Sequence, residues 1–195
     1  MTILPFADAL TPSNDTEYDR RKWLYVPDCY SDYRYILGVK GSRPLICVGI
    51  NPSTAAPDAL DNTLKSVSRI AASNGYDGWM MFNVYAQRAT RPQDMDLELN
   101  KVLHCENMKA FRWLLELAGN KPTIWAAWGT VIERRPYLAR CVKDLAEIAE
   151  SYGAVWCCAG SRSKAGHPHH PLYLRKDSSL TEFEIGKYLE SIEAK

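Results

Sequence analysis

The stretch Leu45-Ile46-Cys47-Val48-Gly49-Ile50-Asn51-Pro52-Ser53-Thr54 decides the fold. Leu45 to Gly49 is a short, continuous apolar run, the pattern of a strand buried on both faces of a parallel sheet. After the polar loop that follows it, Leu64, Val67, Ile70 and Ala71 recur at helical spacing as far as Gly75. The cycle then repeats. Trp79 to Val84 predicts the next strand, and Met108, Phe111, Leu114, Leu115 and Ala118 predict a helix that stops at Gly119. Ile124 to Trp128 predicts a third strand, and Cys141, Leu145, Ile148, Ala149 and Tyr152 a helix that stops at Gly153. Ala154 to Ala159 predicts a fourth strand, and Leu180, Phe183, Ile185, Tyr188, Leu189 and Ile192 a C-terminal helix. Helices that end on glycine just before a strand use the left-handed conformation that glycine adopts without a Cβ penalty. The alternation predicts a doubly wound, mainly parallel α/β sheet of about four core strands flanked by helices. Upstream, Trp23 to Val26 and Tyr33 to Val39 predict an N-terminal strand hairpin at the sheet edge. Residues 1–20 predict an irregular arm, and residues 1–195 as a whole a single α/β domain.

Composition narrows the functional classes. A chain of 195 residues that is 46% hydrophobic and 24% charged can bury a core of ordinary size. A formal net charge of +1 excludes whole-molecule attraction to polyanions, so such a partner must meet a local patch. Between residues 160 and 176, Arg162, Lys164, Arg175 and Lys176 accompany His167, His169 and His170 with no acid among them. That segment is the expected contact for a nucleotide, nucleobase or DNA, and a solvated basic loop is its other reading. The six cysteines form no C-x-x-C pair, which predicts reduced, mostly buried thiols and no cofactor. Asp8, Asp15, Glu17 and Asp19 take the place of a basic-then-apolar signal, and no apolar run approaches spanning length. A cytoplasmic protein with no membrane association is expected.

In open α/β sheets ligands bind beyond the carboxyl ends of the strands, so the loops there carry the functional expectation. Asn51 at the tip of a buried strand can orient a water or read a base edge, although Asn-Pro-Ser-Thr also suits a plain turn. Asp61 or Asn62, before Thr63, reads as the N-cap of the next helix. Asn83 interrupts an apolar strand and needs a partner, in a neighbouring loop or in a ligand. Arg88 and Arg91 can hold a phosphate or stand in solvent, and Trp128 can stack on a base or join the core. The densest signal is Gly166-His167-Pro168-His169-His170-Pro171-Leu172-Tyr173. No cysteine or H-E-x-x-H helix accompanies these histidines, so no metal is predicted. A histidine on this proline-stiffened loop suits hydrogen-bond donation to a developing anion or a phosphate.

Tyr33-Arg34-Tyr35, Gly49 to Ala55, Asp61-Asn62-Thr63, Asn83 with Arg88, Trp128-Gly129 and Gly166 to Leu174 together resemble the bacterial and phage family called domain of unknown function 1643. The resemblance covers nearly the whole chain from about residue 30 in that order, and it implies no established activity. Here Asp61-Asn62 stands where the family has a pair of acids. More distantly, Gly49-Ile50-Asn51-Pro52-Ser53 resembles the first motif, G-I-N-P-G, of one branch of the uracil-DNA glycosylase superfamily. His167-Pro168 and Pro171-Leu172 resemble its second motif, H-P-S-P-L, with one extra residue between them, so His167 and His170 both remain candidates for its histidine.

That likeness implies a three-layer architecture and hydrolysis of an N-glycosidic bond. Asn51 would align the water, His170 or His167 would hold the departing base, and Trp128 or Tyr173 would provide a stacking wall. Ser53, Thr54, Asn83, Arg88, Lys164 and His169 complete the expected substrate contacts, supported by Asp61 and Thr63. The alternatives are a non-catalytic module for a nucleotide or modified base, and a phosphate-handling enzyme using Lys164 and the histidines. The last lacks a Walker A loop or G-x-G-x-x-G cradle.

Overall fold

Strand β3 (Pro44–Gly49) is hydrogen-bonded in parallel on both edges, to β4 (Gly78–Asn83) from Pro44↔Gly78 to Gly49↔Asn83 and to β5 (Thr123–Ala126) from Ile46↔Ile124 to Val48↔Ala126. The computed structural model describes residues 2–13 and 16–193, so Asn14 and Asp15 of the N-terminal arm lie outside it. β6 (Val155–Ala159) continues the parallel core beyond β5. β1 (Trp23–Val26) and β2 (Ile36–Val39) form the antiparallel edge hairpin, and β2 pairs antiparallel with β4. β7 (Leu180–Glu182) closes the other edge against β6. The resulting seven-stranded order is β1-β2-β4-β3-β5-β6-β7, in which only β2 and β7 oppose the core direction. The sheet is thus mostly, not wholly, parallel.

Alternation along each strand sends side chains to two separate cores. Leu45, Cys47, Trp79, Met81, Trp125 and Cys157 face α2 (Asn62–Ser73), which inserts Leu64, Val67 and Ile70. Ile46, Val48, Met80, Phe82, Ile124 and Ala126 face α3 (Lys101–Ala118) and α4 (Pro136–Ser151), which contribute Phe111, Leu114, Leu138 and Leu145. The helices begin where a side chain accepts a free first-turn amide. Asp61 accepts from Leu64 N at 2.9 Å to start α2, and Asn100 accepts from Leu103 N at 3.1 Å to start α3. Gly75, Gly119 and Gly153 all take positive φ at the predicted helix ends.

The C-terminal helix, the arm, the second hairpin strand and the third core strand differ most from expectation. Leu180 lies in β7, and the C-terminal helix α5 (Ile185–Glu193) begins five residues later than its apolar pattern suggests. Leu180 instead pairs with Ala159 and its amide bonds to Asn74 Oδ1, which satisfies the outer edge of β6. The arm is not wholly irregular. One helical turn, α1 (Phe6–Ala9), buries Phe6 edge-on to Tyr35 and Trp113, and Glu106 accepts the Phe6 amide at 2.7 Å. The second hairpin strand starts at Ile36, because Arg34 N donates instead to Ala86 O at 2.9 Å. β5 stops at Ala126, and Trp128 turns into a 3-10 helix over Gly129–Arg134. Among the described residues, no helix is long and apolar enough to cross a membrane.

The β2–β4 contact depends on Gly38, where an added Cβ would lie 2.8 Å from Met80 Cα and nearer still to the Trp79 carbonyl. Backbone cannot yield as a side chain can. Gly38→Ala should therefore destabilise the protein by at least about 2 kcal/mol, read from its urea midpoint. A shift of less than about 0.5 kcal/mol would show that the hairpin is not held this closely to the core.

Candidate functional site

The chain leaves β3 through α2 to reach β4 on one side, then crosses through α3 to β5 on the other. The carboxyl ends of β3 and β5 therefore diverge into their loops, the position at which open α/β sheets bind ligands. A cleft of about 660 Å³ opens there. Its walls are the segment after β3, the start of α2, the Gly129 turn and the histidine loop.

Asn51 sets the first wall. Its Nδ2 donates to Ala89 O at 2.7 Å and to Pro52 O at 2.9 Å, which fixes which side-chain atom is nitrogen. Both amide hydrogens are thereby used inside the protein, and Oδ1 is left as an acceptor. Behind this loop, Arg88 donates to the carbonyls of Ser53 and Ala55 and, at 2.8 Å, to Tyr25 Oη. Its guanidinium lies 4.2 Å from the centre of the Tyr30 ring. Arg88 thus braces the 51–55 segment from outside the cleft. Ser53 and Thr63 line the cleft, whereas exposed Thr54 does not.

The histidine loop forms the opposite wall, and its three imidazoles differ. His167 is 2% exposed, with Nδ1 2.9 Å from Tyr188 Oη and Nε2 2.8 Å from Glu133 Oε1. Trp128 Nε1 donates to Tyr188 Oη at 3.0 Å, so Trp128, Tyr188, His167 and Glu133 form one hydrogen-bonded chain. Both ring nitrogens of His167 thus have protein partners, and the residue also lines the cleft. Trp128, expected as a stacking wall, is fully buried among Trp156, Phe183 and Tyr188 and does not line the cleft.

His170 lines the cleft and caps a 3-10 turn over Pro171–Tyr173, its Nδ1 accepting from Leu172 N at 3.3 Å. The neutral ring therefore carries its proton on Nε2, a donor. Burial pushes the His170 pKa down, Asp61 opposes that shift, and His169 adds to it. Room for the His170 loop comes from Gly129, whose φ is +62° and whose added Cβ would lie 3.3 Å from His170 Cβ. His169 also lines the cleft and donates from Nδ1 to Ser161 O at 3.2 Å. Tyr173 stands at the rim, 75% exposed, its ring centre 6.1 Å from that of His170.

Other expected contacts lie elsewhere. Asn83 is buried and does not line the cleft, and neither side-chain polar atom has a partner among the described residues. Lys164 is exposed and does not line the cleft. The basic segment is not a row of free cations, because Arg162 lies over the Phe183 ring at 4.8 Å and Arg175 pairs with Asp177 at 3.1 Å. Among the described residues, no group of three or more His, Cys, Asp or Glu is placed to hold a metal ion.

One residue that the sequence reading left out of the site is Arg34. It lines the cleft at 2% exposure, and its side chain makes a single hydrogen bond, from Nη1 to Ala55 O at 3.0 Å. Desolvation, then the charge of Arg88, push its pKa down to about 9. The signal available earlier was its setting, a lone cation between Tyr33 and Tyr35 where a buried residue was due.

These features define an α/β protein with a polar, partly cationic cleft at the switch point of its sheet. Residues 34–172 match the family model described as "Protein of unknown function (DUF1643)", and the chain belongs to that family. No curated protein and no solved structure matches it.

The depressed His170 pKa has a consequence for stability. An unfolded histidine takes up its proton near pH 6.5, whereas folded His170 resists it, so below that pH the unfolded state binds more protons. Stability should fall as pH drops from about 6.5 towards the folded value and level off beneath it. Melting temperatures from pH 7.5 to 5 should show His170→Gln less acid-sensitive than the wild type. Identical profiles would mean that the imidazole is not held neutral by its burial.

Proposed function

We propose that the cleft binds a nucleotide or nucleobase compound and hydrolyses its N-glycosidic bond, in the manner of the uracil-DNA glycosylase superfamily. The observation that carries this reading is the orientation of Asn51. With both amide hydrogens held by Pro52 and Ala89, Oδ1 is the atom free to accept from a water. Across the cleft, His170 offers a neutral N–H donor for charge that develops on a departing base. A parallel core with helices on both faces supports the same superfamily likeness.

In this mechanism, water held by Asn51 adds to the anomeric carbon as the bond to the base breaks. The base leaves with the bonding electron pair and is stabilised by His170 Nε2–H. The proton lost by the water goes to Asp61, the one carboxylate lining the cleft among the described residues. Asp61 Oδ1 already accepts from Leu64 N, which leaves Oδ2 for that proton. Tyr173 supplies an aromatic surface at the mouth of the cleft.

The test is release of free base from mononucleotides and from single-stranded and duplex DNA carrying uracil or other modified bases. Asn51→Ala should lower kcat at least about 100-fold, with a stability loss no larger than the roughly 1–3 kcal/mol expected for two lost hydrogen bonds. Asn51→Asp keeps an acceptor but sets a carboxylate against two carbonyls, so it should be less stable than Asn51→Ala. His170→Ala should cost about 2–4 kcal/mol in transition-state stabilisation. His167→Ala should chiefly lower the melting temperature. Binding without base release from any of these substrates would assign the cleft to a non-catalytic module.

A further inference from the structure

Arg34 is the most unusual group in the molecule. A guanidinium carries five N–H donors, and here only one is used, by Ala55 O. Nε is buried with no partner, and no acid among the described residues lies within ion-pairing distance of the side chain. A buried charge in this state is costly unless something completes it. Arg88 worsens the imbalance, and Asp61, fixed as the α2 cap, offsets it only from a distance.

The neighbouring wall adds donors. Asn62 and Thr63 line the cleft at the first turn of α2, a twelve-residue helix whose N-terminal amides have no intrahelical acceptor. A fork of free guanidinium N–H groups beside open helix amides suits a tetrahedral oxyanion, which can accept from several directions at once.

We infer that Arg34 is the phosphate receptor of this cleft, and that its ligand is a small nucleoside phosphate. The nucleoside part rests on the functional reading above, whereas the phosphate part rests on Arg34 itself. Burial separates the phosphate sources. A fully buried guanidinium meets only a group that enters the cleft, while duplex backbone is met by surface cations. The surface cations Arg162 and Arg175 are already stacked or paired.

Calorimetry on the intact protein tests this with inorganic phosphate, deoxynucleoside 5′-monophosphates, the matching nucleosides, and a single-stranded oligonucleotide lacking terminal phosphates. At least one monophosphate should bind about tenfold or more tighter than its nucleoside, and it should compete with inorganic phosphate. Arg34→Met should abolish that advantage while raising the melting temperature of the ligand-free protein, because an uncompensated buried charge is removed. Arg34→Lys, which keeps a charge but loses the fork, should retain only part of the advantage. Equal binding of nucleoside and nucleotide by the wild type overturns the proposal without recourse to any variant. So does an Arg34→Met protein that still prefers the nucleotide, and an oligonucleotide that outcompetes the mononucleotides overturns the small-ligand part. Phosphate-dependent binding without base release would sink the hydrolase reading alone. Base release from oligonucleotide that is indifferent to Arg34→Met would sink the phosphate assignment alone.

Discussion

Parallel hydrogen bonding on both edges of β3 is the constraint from which the rest of the structure follows. β3, paired on both sides and covered on both faces, is apolar along its length, as such a strand favours. The first amide side chain comes after its carboxyl end, at Asn51. Because the two neighbours of β3 are reached in opposite directions, the loops at that end separate and leave a cleft between them. The polar character of the site and its position are consequences of one topological arrangement.

The cleft is held open by two internal braces. On one side Asn51 and Arg88 use their donors on loop carbonyls, fixing the backbone from Pro52 to Ala55. On the other, the chain Trp128–Tyr188–His167–Glu133 ties β5, the C-terminal helix and the histidine loop together. Polar side chains spent in this way are not available for chemistry. Their cost in desolvation is offset by the hydrogen bonds they make, although Arg88 Nε is buried without a partner. The groups that remain incompletely bonded around the cleft are therefore the informative ones: Asn51 Oδ1, His170 Nε2 and the Arg34 fork.

Those three groups fall on different elements and carry different charges. His170 is kept neutral by burial, whereas Arg34 keeps its charge at physiological pH despite burial, since even a pKa of about 9 leaves it protonated. A neutral donor and an unpaired cation in one cleft favour ligands with an anionic end and a polar, aromatic end. An incompletely paired buried charge of this kind opposes folding, a pattern common at functional sites.

The order of strands and helices was legible in the sequence because it depends on local periodicity: continuous apolar runs for doubly buried strands, helical spacing between them, glycine at helix ends. That the loop after β3 and the histidine loop would share one cleft was legible for the same reason, since the connectivity alone places them beyond the strand ends. What periodicity could not separate was a side chain facing the cleft from one committed elsewhere. His167 and His170 sit three residues apart on one loop and both line the cleft, yet one is bonded at both nitrogens and the other only at Nδ1. Trp128, Asn83 and Lys164 were drawn into the expected site by position alone, and the fold turns them into the core or out to solvent. Arg34 went the other way. Its burial without a carboxylate arises from the packing of the residues before β2 against the loop after β3, a contact between segments that no local pattern encodes. Sequence by itself determined which segments meet at the end of the sheet, through period and connection order. Only the tertiary structure decided which donors there are spent internally and which are left for a ligand, because that depends on partners distant in the chain.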